Sequence, residues 1–242
     1  MGHTGMHRGL VTALVGVCLA PCMMACTEDS SREPAKGATG VAVESAELVY
    51  RRVPGAPFEL EIPSAWKLEP VVPGPLPPPP AEPATDDGGA PAATAGAASA
   101  PPLALQSRVL LSARAPVSGA GMRVSAQLLV QHDPWLPQGT TASDYLAAQR
   151  ASNRAAVADL RHVEAEFSRR QGRPAYYVRD EWAAPLGKDA TQVFSQETLL
   201  LLDAEDERLH GYSVTITLPI EDRAALAAIV RQILDGLRFP KR

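Results

Sequence analysis

The sequence contains few of the residues on which metal sites, disulfides and covalent catalysis depend. Its three cysteines, Cys18, Cys22 and Cys26, all lie in the first 26 residues, and only three of its five histidines follow that point. Beyond Cys26 there is no His-x-x-x-His pair, no Gly-x-Ser-x-Gly elbow and no Gly-x-x-x-x-Gly-Lys loop. These absences argue against a zinc site, a thiol nucleophile and a phosphate loop, so we expect no metal, no cofactor and no catalytic residue.

The chain also has no excess of positive charge. Its 27 acidic residues outnumber its 23 basic residues and give a formal charge of -4, which argues against a nucleic-acid partner held by phosphate contacts. Residues 46–68 and 103–242 together carry a charge near +1. A sum so close to zero predicts neither a basic groove nor a polybasic membrane-facing patch.

Long hydrophobic runs are lacking as well. The apolar run from Leu10 to Ala20 has eleven residues, about half of the ~20 that a helix needs to cross a bilayer. It follows a short polar segment containing Arg8, so residues 1–25 are interpreted as a secretory signal peptide rather than a membrane span. The three cysteines have a spacing that places them on one helix face, but a metal site there would be removed with the leader.

The four residues before and including Cys26 indicate how the leader ends. Met23-Met24-Ala25-Cys26 resembles the lipobox of bacterial lipoproteins, with Met23 in place of the usual leucine. The resemblance implies cleavage before Cys26, lipidation of that cysteine, and a protein exported and anchored to the cell-envelope membrane without crossing it. Residues 26–45 would then form a lipidated flexible tether, and with no second cysteine left the mature chain has no internal disulfide.

A proline-rich stretch divides the remainder. Eleven of the 34 residues from Glu69 to Pro102 are proline, which predicts a disordered Pro/Ala-rich insertion; a ligand for a proline-recognition domain is the alternative. The 23 residues before it are too few to fold alone. We therefore predict a single domain over residues 46–242 that is interrupted by this insertion.

Apolar periodicity within the domain predicts mostly strands. Alternation predicts two early hairpins, further strands follow the first helix, and a 3.6-residue apolar stripe marks a final helix that ends near Gly236. The capping-box pair Thr141 and Asp144 predicts the start of the first helix. The fold class is α+β, a largely antiparallel sheet flanked by helices. The predicted strands are 48–53, 58–62, 103–111, 122–130, 163–167, 175–182, 192–202 and 209–218, and the predicted helices are 140–160 and a second one that begins near Leu226.

Three segments resemble one known superfamily. Phe58-Glu59-Leu60-Glu61-Ile62-Pro63-Ser64-Ala65-Trp66, Gly172-Arg173-Pro174-Ala175-Tyr176 and the ending Gly236-Leu237-Arg238-Phe239 are similar to segments of PsbP/Mog/DcrB-type domains, a group that includes LpqN-like lipoproteins. The resemblance implies an α/β/α sandwich. It implies no catalytic residue, because none is shared among members of that superfamily.

The segment from His132 to Pro137 provides the candidate contact residues. Two prolines flank Trp135 in what the pattern predicts to be a strand-to-helix connection, and such connections often carry binding residues. His132, Asp133 and Trp135 are therefore the candidates for contact with a partner or ligand, although Trp135 as a lid on the core is the alternative. We expect a non-enzymatic envelope lipoprotein that binds or helps to assemble an envelope protein; the alternatives are a carrier of a small apolar ligand and, less favoured, a hydrolase.

Overall fold

In the computed structural model, the described residues are 47–72, 103–116, 124–186, 190–205 and 208–240. They belong to one unit that spans residues 42–242. Within these ranges the chain forms strands β1 (Leu48–Arg52), β2 (Glu59–Pro63), β3 (Lys67–Glu69), β4 (Arg108–Arg114) and β5 (Gln127–Leu136), helix α1 (Ala142–Ala156), strands β6 (Arg161–Arg170), β7 (Arg173–Leu186), β8 (Ala190–Glu205) and β9 (Arg208–Pro219), and helix α2 (Arg223–Asp235).

Seven of these strands form one antiparallel sheet in the order β3-β4-β5-β9-β8-β7-β6, and β1 and β2 pair as a separate hairpin. The strands β6 to β9 follow one another along the chain as a meander, whereas β9 lies beside β5 across a long sequence separation. This arrangement confirms the predicted α+β class with a largely antiparallel sheet.

Strict alternation along the central strands separates two cores. On one face, Leu128 and Val130 of β5 and Tyr212 and Val214 of β9 pack with the β1–β2 hairpin and with α2. The apolar stripe of α2 supplies its contacts to this core, through Ile229, Val230, Ile233 and Leu234. The early hairpin therefore packs onto the later sheet, as its short length required.

The opposite face carries a smaller core beneath α1. Leu200 and Leu202 point to this side, whereas their neighbours Leu199 and Leu201 point to the other, and all four are at most 5% exposed. Strand β8 is therefore covered on both faces. Helix α1 begins with the predicted capping box, in which Thr141 Oγ1 accepts from the Asp144 amide at 3.2 Å and Asp144 accepts from the Thr141 amide at 2.9 Å.

Several boundaries differ from the sequence expectations. Gly236 caps α2 as predicted, but α1 ends at Ala156 instead of Leu160, and β5 covers Gln127–Leu136 instead of 122–130. The predicted insertion begins at Glu69, which the structure places in β3, where it accepts from Ser112 Oγ at 2.6 Å. Residues 73–102 lie outside the described residues, as do residues 1–46 with Cys26, so the signal peptide, the tether and the insertion stay predictions.

Candidate functional site

The three candidate contact residues lie at the end of β5, in a strand rather than in the predicted connection. The strand continues to Leu136, which pairs with Leu209 of β9, and its register shifts between Asp133 and Leu136. Pro134 lies in that interval and has no N–H to donate to a ladder, so an irregularity there is the expected compromise. The predicted connection was wrong here. The two prolines suggested that the strand had already ended, whereas pairing with β9 continues it to Leu136.

Asp133 is the centre of a buried polar network on the α1 side of the sheet. Its carboxylate, 1% exposed, accepts from Ser107 Oγ at 2.6 Å, from the Tyr145 hydroxyl at 2.7 Å and from Gln149 Nε2 at 3.1 Å. Burial raises the pKa of Asp133, and the three hydrogen bonds oppose that rise. Tyr145 and Gln149 are four positions apart and therefore occupy one face of α1, so the carboxylate joins this helix to β5.

The Tyr145 ring packs directly against the backbone of β9 at Gly211, which has no side chain. A Cβ built on Gly211 would lie 2.6 Å from Tyr145 Cζ, closer than carbon atoms approach. Only glycine therefore permits the ring to lie against the strand at this position. Burial raises the pKa of Tyr145 well above its ordinary value, and the neighbouring Asp133 charge adds to the rise. The hydroxyl consequently stays protonated and acts as a donor.

His132 points to the other face of the sheet and takes part in a series of hydrogen bonds that all run in one direction. Arg108 Nε donates to His132 Nδ1 at 3.2 Å, and because a guanidinium cannot accept, Nδ1 carries no proton. The ring proton is then on Nε2, which lies 3.0 Å from His210 Nδ1 and donates to it. The ring also stacks on Tyr212, with centroids 4.6 Å apart. Burial and the Arg108 charge lower the pKa of His132 to about 3.

Trp135 is the candidate whose side chain reaches the surface. It is partly buried, and the guanidinium of the exposed Arg208 lies 5.0 Å from the centre of its ring, within cation–π range. Thus His132 and Asp133 form the buried support of the strand end, and Trp135 and Arg208 form its outer surface. A contact between these residues and a partner stays a prediction.

The structure adds residues that the sequence did not single out. Ser107, Arg108, Tyr145, Gln149 and His210 complete the two networks, yet they come from three different segments, and no spacing in the sequence connects one segment to another. The i,i+4 pair of Tyr145 and Gln149 on α1 was the available signal. Within the described residues, no group of three His, Cys, Asp or Glu side chains is placed to hold a metal ion.

The comparisons with known proteins concern the fold. No protein-family model matches the chain, and no curated protein matches its sequence. The domain is similar to PsbP. The solution structure of PsbP from the cyanobacterium Synechocystis sp. PCC 6803 is 12% identical, with 86% of this chain and 98% of that chain covered and a TM-score of 0.45.

Two further solved structures are similar to the domain. LpqN of Mycobacterium tuberculosis, a protein involved in cell-envelope biogenesis, is 8% identical over 81% of this chain and 92% of its own, with a TM-score of 0.46. PA94 of Pseudomonas aeruginosa is 12% identical over 81% of this chain and 98% of its own, with a TM-score of 0.42. The function proposed for this chain therefore rests on its own residues.

Proposed function

We propose that the protein is a lipid-anchored envelope protein that binds a protein partner through the surface formed by Trp135 and Arg208 and performs no catalysis there. One observation carries the proposal. Asp133 and His132, the titratable residues that precede Trp135 in β5, already use both carboxylate oxygens and both ring nitrogens in hydrogen bonds to neighbouring side chains. These hydrogen bonds hold the strand end rigid instead of leaving a base or an acid directed at a substrate.

Rigid support beneath an aromatic residue favours binding. Tryptophan and arginine are the residue types that most often dominate the affinity of a protein interface, and they do so best when the backbone beneath them is fixed. Trp135 lies two positions after Asp133, whose carboxylate is fixed by Ser107, Tyr145 and Gln149. Little conformational freedom would be lost when a partner covers this surface.

The anchor is supported by the sequence. The eleven-residue apolar run, the lipobox-like segment ending at Cys26 and the polar stretch that follows are together typical of an exported lipoprotein. None of the helices in the described ranges is long and apolar enough to span a membrane. An anchor attached to Cys26 would keep the domain within the length of its tether from the membrane.

A carrier of a small apolar ligand is less favoured. Such a carrier needs a cavity of roughly 300 to 1,000 Å³ lined mainly by apolar side chains. Between the sheet and α2, the described side chains instead form one contiguous cluster, and Leu60, Val214, Ile216 and Ile233 in it are fully buried. Packing of this kind stabilises the domain and supports a surface contact as its function.

Site-specific crosslinking in the native host tests the partner contact. A photo-reactive amino acid replaces Arg208 in the full chain, and a matched derivative carries it at Arg161, an exposed arginine at the opposite end of the sheet. We expect one reproducible crosslinked protein from position 208, its loss when Trp135 is also changed to Ala, and no such product from position 161. The same product in the presence of Trp135→Ala, or none from position 208, would overturn the partner contact.

The anchor is tested separately through Cys26. We expect the wild-type chain to enter the detergent phase on phase separation and to carry acyl groups at Cys26 by mass spectrometry, and Cys26→Ala to keep its leader and lack them. A wild-type chain found in the aqueous phase with residues 1–25 intact would rule out the proposed anchor, whatever the crosslinking shows.

A further inference from the structure

A concave surface that Trp135 does not line lies at the C-terminal end of α2. It encloses about 780 Å³ between the outer side of α2, the β1–β2 hairpin and the turn that joins β6 to β7. We call it the α2 groove. The side chains that define its chemistry are Tyr50, Glu61, Gln171, Arg231, Asp235 and Arg238.

Arg238 is fixed at one side of the α2 groove. Its backbone exchanges two hydrogen bonds with Glu59, at 2.8 and 3.0 Å, which places the residue against the edge of β2. Its guanidinium stacks on the Tyr50 ring at 3.9 Å and lies 4.0 Å from a Glu61 oxygen, at the limit of an ion pair. The side chain is nevertheless 61% exposed. Most of its five N–H groups therefore face solvent from a fixed position.

The two carboxylates of the α2 groove already have partners. Tyr50 forms a hydrogen bond with Glu61, an interaction that raises the pKa of the tyrosine, and Asp235 pairs with Arg170 at 2.7 Å. Arg231 lies one turn before Asp235 on the exposed side of α2, and it forms no ion pair with any residue that the structure describes. Arg231 is thus the surplus positive charge of the groove.

Gln171 adds a further donor. Its Oε1 accepts from the Phe239 amide at 3.2 Å, which fixes the orientation of the side-chain amide. Because the oxygen is occupied in this way, the end of the amide available to a ligand is the NH₂ group. Gln171 itself is held in the β6–β7 turn at φ 49°, next to Gly172 at φ 86°. The groove therefore offers arginine and amide donors, and each of its two carboxylates already has a partner.

We propose that the α2 groove binds a phosphate group, with Arg231 and Arg238 as the charged ligands and Gln171 as a neutral donor. A tetrahedral oxyanion accepts several hydrogen bonds at once, and arginine is well suited to it because its fork of N–H groups matches two oxygens. The near-zero charge of the folded residues gave no sign of this site, because a net charge says nothing about where the arginines gather. The proposal does not depend on the partner contact at Trp135.

The phosphate group could belong to an anionic phospholipid headgroup or be free in solution, and protection of arginines from phenylglyoxal distinguishes these sources. The full chain is purified from its host in non-ionic detergent and labelled at constant ionic strength. Labelling is measured by peptide mass spectrometry with sodium phosphate, with phosphatidylglycerol added to the micelles, or with diacylglycerol. Arg154, exposed on α1, is the internal control.

We expect the labelling of Arg231 and Arg238, but not of Arg154, to slow at least about threefold when phosphate is bound, because both guanidinium groups are then covered. Protection by phosphatidylglycerol alone assigns the site to a lipid headgroup. Protection by sodium phosphate, with or without the lipid, assigns it to the phosphate group itself. Protection by neither, protection by diacylglycerol, or equal protection of Arg154 overturns the proposal.

A charge-neutral variant provides the second measurement. Arg231→Gln should raise the concentration of the protecting agent needed to half-protect Arg238 by about tenfold, since one charge-assisted contact is lost. Arg154→Gln removes the same charge from an exposed position of α1 and should leave that concentration unchanged. Both positions are exposed, so neither change removes packing from the core. An unchanged concentration for Arg231→Gln would exclude this arginine as a ligand.

Discussion

At the scale of single residues, the Asp133 carboxylate depends on having two acceptor oxygens. In Asp133→Asn, an NH₂ group replaces one oxygen. If it faces Gln149 Nε2 it meets a group that only donates, and if it faces Ser107 Oγ the hydroxyl turns to accept while Tyr145 and Gln149 lose their charged acceptor. Either loss costs about 1–3 kcal/mol. We expect the free energy of unfolding to fall by that amount in urea denaturation.

The control for this prediction is the same chemical change at an exposed position. Asp159 has φ 58°, a conformation that asparagine adopts readily, so Asp159→Asn should leave the stability within about 0.5 kcal/mol of wild type. Equal stabilities for Asp133→Asn and Asp159→Asn would contradict the prediction, because replacing the buried carboxylate by an amide would then cost no stability.

The histidine chain makes a prediction about pH. In the folded protein the pKa of His132 is about 3, whereas an unfolded histidine has a pKa near 6.5. The unfolded state therefore binds more protons between these values, and the free energy of unfolding decreases as the pH falls from about 6.5 towards 3. Between pH 7 and pH 4.5 this loss is on the order of 2 kcal/mol, after allowance for partial solvation.

Urea denaturation of wild type and of His132→Gln at both pH values isolates this contribution. Glutamine does not titrate, so the free energy of unfolding of His132→Gln should fall less between pH 7 and pH 4.5. Arg108, His210 and Tyr212, which face the ring, remain in both proteins. Parallel decreases in the two proteins would mean that His132 does not account for the pH dependence.

At the scale of elements, the contact between α1 and β9 is set by Gly211. In Gly211→Ala, the new methyl group would meet the Tyr145 ring at 2.6 Å, so the helix or the strand has to move. Overpacking of this kind typically costs about 1–3 kcal/mol. We expect a lower midpoint of thermal unfolding and faster amide exchange in α1.

A double-mutant cycle with Tyr145→Leu tests whether the ring causes this loss. In the Leu background the ring is absent, so Gly211→Ala should cost at least about 1 kcal/mol less than in wild type. Additive effects would indicate that alanine acts through the β9 backbone and not through α1.

At the scale of the whole molecule, the proline-rich stretch is expected to be dispensable for folding. If residues 73–102 form a solvated insertion, removing them leaves eight residues between β3 and β4, enough to cross the roughly 13 Å that four strand residues span. Shortening the connection should stabilise the domain by about 1 kcal/mol through a smaller loop-closure entropy. Urea denaturation measures this, and a deletion variant that fails to fold would show that the segment contributes to the core.

The sequence predicted the long elements well because their signals are local. Alternation of apolar residues predicted β9 and the first four residues of β5, and the pair Thr141 and Asp144 predicted the start of α1. The three-residue β3 was missed, since a strand of that length has no period to detect. The contact between Asp133 and Tyr145 was missed for another reason: it exists only after β5 pairs with β9 and α1 packs across them. The fold likewise brings the arginines around α2 together, and the composition of the chain gives no sign that they are neighbours.

The sheet order also constrains how the molecule is made. Gln131 and Ser213, side-chain neighbours across β5 and β9, are separated by 82 positions in the chain. One edge of β5 therefore lacks its sheet partner until β9 has been synthesised, after α1 and strands β6 to β8. A nascent chain that cannot complete its sheet early stays unfolded for longer. The export proposed above would need that state, because a secretion channel of this kind accepts only unfolded polypeptide.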